Sequence, residues 1–258
     1  MINSTALNLS LTFFKTHFNW VFNLNYIKEK RKIKRFKNIN LNKKVIIICN
    51  GPSLNEINFD DIQKRNIDTI GLNKINLLFS KTDFRPNYIV AINKHVIDQN
   101  KSFYRKTIIP TFLDANNSKE INSENICKIF SLPNRGYFSE DISKGYCQGF
   151  TVTFAALQLA YYMGYNQIAL IGCDHYFKDK GIPNKLVISK GDDLNHFDKS
   201  YFKKGDKWQL PDLIGSEFHY QIARDLMLTK NIKIVNCTEN SYLNIFPKEP
   251  LRKFINDR

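Results

Sequence analysis

The chain has 258 residues, 43% of them apolar, which is enough to bury the core of one large domain; 38 lysines and arginines against 24 acidic residues leave a formal charge of +14. That surplus asks for an anionic partner: a membrane surface, a nucleic acid or a phosphorylated substrate. No apolar run approaches the roughly 20 residues of a membrane-spanning helix, and no basic region precedes an apolar core as in a secretion signal, so the expected location is the cytoplasm. Five scattered cysteines (Cys49, Cys127, Cys147, Cys173 and Cys237) form no C-x-x-C pair, which argues for a reducing compartment and against thiolate metal binding.

From the N-terminus, Leu7, Leu11, Phe14, Phe18, Val21 and Phe22 recur at spacings of mostly four and three, the pattern of an amphipathic helix over residues 7–27. Residues 28–37 then carry seven cations against the single Glu29. An aromatic apolar face followed by a basic run suits a segment lying on anionic lipid, which would place the protein at the inner face of the cell membrane. The alternative is a helix docked on the core or on a second subunit of a homo-oligomer. Residues 1–42 are accordingly read as an N-terminal segment and 43–258 as the catalytic domain.

That domain opens with KKVIIICNGPSLNE, in which the run Val45–Cys49 reads as a strand covered on both faces and Asn50-Gly51-Pro52-Ser53 as a tight turn. In open parallel sheets ligands bind at the carboxyl ends of the strands, so Asn50, Gly51, Pro52 and Ser53 form a candidate phosphate or nucleotide cradle, with Ser53 as the expected cap of the next helix. The turn matches neither G-x-G-x-x-G nor the kinase-type P-loop. A short helix is expected over 54–65. Strands at 69–72 and 87–92 again close on asparagines, Asn73 and Asn93, whose amides offer both a donor and an acceptor to a base or a ribose. Residues 107–112 read as a further strand and 113–146 as variable loop with a small apolar patch at 126–132.

The spacing of Ala155, Ala156, Leu159, Ala160 and Met163 predicts a helix over 153–163 that stops at Gly164, with Thr151 and Thr153 at its start to cap it or hold an anion. The following strand, 167–172, delivers Asp174, His175 and Tyr176 to the same rim as Asn50. Helix leading into strand gives the fold class: α/β, Rossmann-like, with a mostly parallel sheet and helices on both faces. Residues 178–211 lose periodicity and read as a lid loop carrying His196 and the aromatics Phe197, Tyr201, Phe202 and Trp208. A helix over 212–230 and a strand over 232–237 end the pattern.

Taken in order, VIIICNGPSLNEI, the asparagine strand ends, AYYMGYNQIALIGCDHY, NHF and IKIVNCTENSYL resemble the bacterial lipooligosaccharide sialyltransferases over roughly 43–250, and the same segments are similar to the MptE-like hydroxymethylpterin diphosphokinase family. The first resemblance implies a nucleotide sugar as donor, bound as its cytidine monophosphate part by Asn50, Gly51, Ser53, Asn73 and Asn93. It further implies Tyr176 at the departing phosphate, His196 as general base and a cell-surface glycan as acceptor. The sequence departs from that family at Gln148 and Val152, which stand where it has an arginine and a serine, and residues 178–184 hold no second phosphate-binding tyrosine.

Glycosyl transfer of this kind needs a base for the acceptor hydroxyl and relief of charge on the leaving phosphate. A histidine with its ordinary pKa of about 6.5 is available as the base near neutral pH. No D-x-D pair follows a strand, and the adjacent Asp192 and Asp193 read as turn formers, so neither a metal nor another cofactor is expected. His175 and His219 read as structural. Two other classes stand beside this one: an MptE-like diphosphokinase using ATP and magnesium, and a non-enzymatic membrane adaptor. Nucleic acid is not expected as a partner, because the basic run lies in one linker and not on a stacking platform.

Overall fold

The structure is a computed structural model that describes residues 24–133 and 136–257, so most of the helix expected over 7–27 lies outside the described residues. Its first helix, α1 (Leu24–Lys34), leads into β1 (Lys44–Ile48), where side chains alternate between two apolar layers. Val45 and Ile47 enter one cluster, Ile46 and Ile48 the other, and all four are fully buried. The unbroken Val-Ile run therefore reports a strand sandwiched on both faces. After β1 a one-turn 3-10 helix (Pro52–Glu56) and α2 (Phe59–Lys64) lead to β2 (Asp68–Leu72), and a second 3-10 turn leads to β3 (Tyr88–Ala91). The helices α3 (Lys94–Gln99) and α4 (Lys101–Lys106) precede β4 (Thr111–Asp114) and β5 (Ile126–Ile129).

The short pair β6 (Ser131–Leu132) and β7 (Tyr146–Cys147) is followed by α5 (Val152–Met163) and β8 (Gln167–Ile171). A two-stranded ribbon, β9 (Leu186–Ile188) with β10 (Lys207–Gln209), precedes α6 (Leu213–Thr229), β11 (Lys233–Asn236) and α7 (Leu251–Asn256). Seven strands form one sheet in the order β11-β8-β1-β2-β3-β4-β5, and every pairing in it is parallel. From β1 the chain winds outward through β2 to β5, then crosses back to lay β8 on the other side of β1. The carboxyl ends of β1 and β8 are thus the topological switch point, where an open parallel sheet leaves a crevice for a ligand.

Several expectations shift. The strand expected at 107–112 forms at Thr111–Asp114, because Thr107 instead ends α4, and the region read as variable loop supplies the edge strand β5. The segment read as a lid is no bare loop: it carries the β9/β10 ribbon, and Phe197, Tyr201, Phe202 and Trp208 are buried in the apolar cluster beneath the sheet. The described part of the N-terminal segment packs on the core, since Ile33 is fully buried and Asn38 and Asn40 N–H groups donate to the carbonyls of Tyr162 and Met163 at the end of α5.

Candidate active site

A cavity of about 510 Å³ opens at the switch point, between the ends of β1 and β8, the start of α5 and the ribbon segment. Its floor holds Asn50 and the thiols Cys49 and Cys173, both buried; Cys49 Sγ lies 3.6 Å from Thr153 Oγ1. Burial and the neighbouring Cys49 push the Cys173 thiol well above its ordinary range, so it is held as an inert, uncharged group.

The turn after β1 is shaped by Asp174. Gly51 N–H donates to the Gly172 carbonyl at 2.8 Å, Ser53 N–H donates to Asp174 Oδ1 at 3.1 Å, and Ser53 Oγ donates to Asp174 Oδ2 at 2.7 Å. A Cβ on Gly51 would stand 1.9 Å from Asp174 Oδ2, which is why the position has no side chain. The expectation that Ser53 offers its amide to a phosphate is therefore corrected: that donor already serves a carboxylate, and Pro52 and Ser53 lie outside the cavity lining. Gly51, with Pro52 following, caps the 3-10 turn in place of Ser53.

Asn50 and Asn73 behave differently. Both line the cavity, and both side-chain oxygens are buried without a hydrogen-bond partner among the described residues. An orphaned buried acceptor costs about 1–3 kcal/mol, so two of them facing one cavity are a place for a ligand's donors. Asn93 also lines the cavity, but its amide is already engaged: its Oδ1 accepts from the amides of His95 and Val96 to cap α3, and its Nδ2 donates to Gln209 Oε1 at 3.0 Å. Thr151 caps α5 by accepting from the Thr153 amide, which aims the helix N-terminus at the cavity, while Thr153 itself is buried on Cys49. Tyr176 is half exposed at the mouth and stacks on Tyr242 with ring centroids 5.3 Å apart.

His196 lines the cavity from the ribbon segment, where the neighbouring Phe197 amide donates to the Asn50 carbonyl at 2.9 Å. Its Nδ1–H donates to Asp193 Oδ2 at 2.8 Å, and its ring lies flat on Tyr201 at 3.9 Å and against Phe202 at 5.3 Å. Nε2 is left without a partner among the described residues, so the neutral imidazole keeps its lone pair there. Asp193, read from the sequence as a turn former, is that too: its Oδ1 accepts from the Asn195 amide. The spacing Asp193-x-x-His196 was the available signal for the dyad. His175 is held by Glu217 at 2.9 Å, and His219 Nδ1–H by the Gly215 carbonyl at 2.8 Å.

Three non-glycine residues of the lining, Asn73, Phe150 and His175, hold φ near +50 to +60°, a conformation that costs a bulky Phe or His. No lysine or arginine lines the cavity among the described residues, although the protein is strongly basic. The nearest buried cation is Lys74, outside the lining: its ammonium donates to Gln99 Oε1 and to the Tyr201 carbonyl, stitching the ribbon segment to the end of β2. Burial lowers its pKa to about 8. Between pH 8 and 10.5 the unfolded chain binds this proton more strongly than the native one, so stability should rise with pH there relative to Lys74→Met, with a constant difference below about pH 8. Urea titrations of both proteins across pH 7–10 check this; parallel curves would show that Lys74 keeps an ordinary pKa.

A sequence model of the 6-hydroxymethylpterin diphosphokinase MptE-like family matches residues 18–180, more than half of the chain. The chain belongs to the MptE-like family. Its MptE-like sheet is also similar to a solved Maf glycosyltransferase from Magnetospirillum magneticum AMB-1, with a TM-score of 0.53 and 13% sequence identity over 90% of this chain. That likeness is one of fold, and the chain spans 39% of the length of the larger protein. No curated protein matches the sequence. The family match and the structural likeness agree on the α/β fold with its parallel sheet.

Proposed function

We propose that the protein is a glycosyltransferase of the sialyltransferase type, moving an acid sugar from a CMP-activated donor to a cell-surface glycan without a metal. The observation that carries this reading is the oriented His196: an imidazole fixed by Asp193 with a free Nε2 beside a cavity whose orphan acceptors, Asn50 and Asn73, await a ligand's donors. Nε2 takes the proton of the acceptor hydroxyl as that oxygen attacks the anomeric carbon, and the bond to the phosphate of the donor breaks. The nucleoside monophosphate leaves toward the N-terminus of α5, whose partial positive charge, with the Tyr176 hydroxyl, relieves the charge on it. A lining without lysine or arginine fits one phosphodiester far better than a triphosphate. Asp174, the one carboxylate in the lining among the described residues, is engaged by Ser53.

The family description favours a second reading, transfer of diphosphate from ATP to a hydroxymethyl group with magnesium. Thermal denaturation with each nucleotide separates the two, because a ligand that binds only the native state raises its melting temperature. CMP should do so, and Asn50→Ala and Asn73→Ala should weaken that binding about tenfold each, by removing one hydrogen bond of roughly 1.4 kcal/mol. A shift with ATP and magnesium but none with CMP selects the diphosphokinase. Equal CMP affinity in both variants would sink the placement of the nucleotide.

A further inference from the structure

No lysine or arginine lines the cavity among the described residues, whereas α1 carries five against the single Glu29. This helix is locked in one orientation by groups that satisfy the open edge of β5: Glu29 Oε2 accepts from the Lys128 amide at 3.1 Å, and Lys32 Nζ donates to the carbonyls of Ile126 at 3.1 Å and Ser123 at 3.4 Å. With Ile33 fully buried between them, the outer face is fixed as well. At 100° per residue, Lys28, Arg31 and Arg35, the last just past the end of α1, share an arc of roughly 60°, with Ile27 and Lys34 roughly 40° and 60° beyond its Arg31 edge. Lys28, Arg31, Lys34 and Arg35 are exposed, and no acidic group pairs with any of them among the described residues, while Glu29 faces inward and Asp141 lies 4.0 Å from Lys37. Exposed Ile27, and Ile39 and Leu41 in the turns that follow, put apolar side chains in the same stretch of chain.

We propose that the outer face of α1 docks on an anionic membrane surface. Unpaired cations held in a rigid row attract an anionic headgroup layer, and apolar side chains among them favour the interfacial region over a nucleic acid, which would offer them no apolar layer. The row does not depend on the reaction proposed above.

Co-sedimentation of the full chain with vesicles tests it, comparing phosphatidylcholine alone with phosphatidylcholine containing 30% phosphatidylserine as probes, a composition chosen at roughly the anionic content of a cytoplasmic leaflet. Binding is expected only to the anionic vesicles and should fall as salt rises. Each cation contributes about a fivefold factor, so the triple variant Lys28→Gln, Arg31→Gln, Arg35→Gln should bind on the order of a hundredfold more weakly. Its melting temperature should match that of wild type, since all three residues are exposed. A second variant, Ile27→Ser, should weaken binding with its salt dependence unchanged. Equal binding of the triple variant and wild type, or no binding of wild type to anionic vesicles, overturns the proposal. A wild-type chain that ignores vesicles yet binds DNA through the same three cations does so too and names a nucleic acid instead.

Discussion

Replacing His196 by alanine should lower the rate of sugar transfer by roughly two to four orders of magnitude, the contribution of a positioned general base. The argument is geometric. The Asp193 carboxylate takes the proton-bearing Nδ1 at 2.8 Å, and Tyr201 stacks flat on the ring, so the imidazole is held in one tautomer and one plane before any substrate arrives. Donor binding should change little, because the amides of Asn50 and Asn73 come from the ends of β1 and β2, whereas His196 comes from the ribbon segment. Asp193→Asn should give a smaller loss. A His196→Ala enzyme with wild-type turnover would remove the base from this site and favour the diphosphokinase reading.

The second large effect is expected on stability. Gly51→Ala should unfold the turn after β1 or shift it, since its Cβ would meet Asp174 Oδ2 at 1.9 Å and the Gly172 carbonyl oxygen at 2.7 Å. One of these is backbone in the adjacent strand end and has no room to retreat. The Asp174 side chain can move only by giving up both of its bonds to Ser53. Overpacking of this kind costs about 1–3 kcal/mol and more where backbone must yield, so a drop in melting temperature of several degrees is expected for a domain of this size. Nucleotide affinity should fall with it. Gly51→Ala combined with Asp174→Ala should recover part of the stability; a double variant no better than the single one would mean that the Gly172 backbone, not the carboxylate, is the obstacle.

The sheet was legible because its strands announce themselves by burial. β1, β3 and β8 are short unbroken apolar runs, and each stops where a polar or turn residue meets the crevice. The edge strand β5 was not legible as such, because its Lys128 interrupts the run and its outer side is completed by Glu29 and Lys32 from almost a hundred residues away. Among the site residues, Asn50 and Asn73 follow from their places at strand ends, yet nothing local separates them from Asn93, which spends the same amide on capping a helix. Ser53 and Asp174 each carry the right chemistry for a phosphate site or its support, and only the fold shows that they satisfy one another. The aromatics of residues 178–211 suggested a mobile cover for the ligand. Their burial beneath the sheet follows from long-range packing, for which a segment without periodicity gives no sign.

The placement of β8 also bears on how the chain is made. β1 is hydrogen-bonded on one flank by β2, which follows it closely, but on the other by β8, whose Ile171 partners Ile48 from roughly 120 residues downstream. At synthesis rates of about 5–20 residues per second, that flank, apolar and β-branched, stays unpaired for on the order of 6–25 s while β2 to β5 emerge. An open edge of this composition invites pairing with another nascent chain. Slow codons or a low growth temperature in the stretch that encodes residues 115–165 would lengthen the exposure, so soluble yield should respond more to translation speed there than in the stretch after β11.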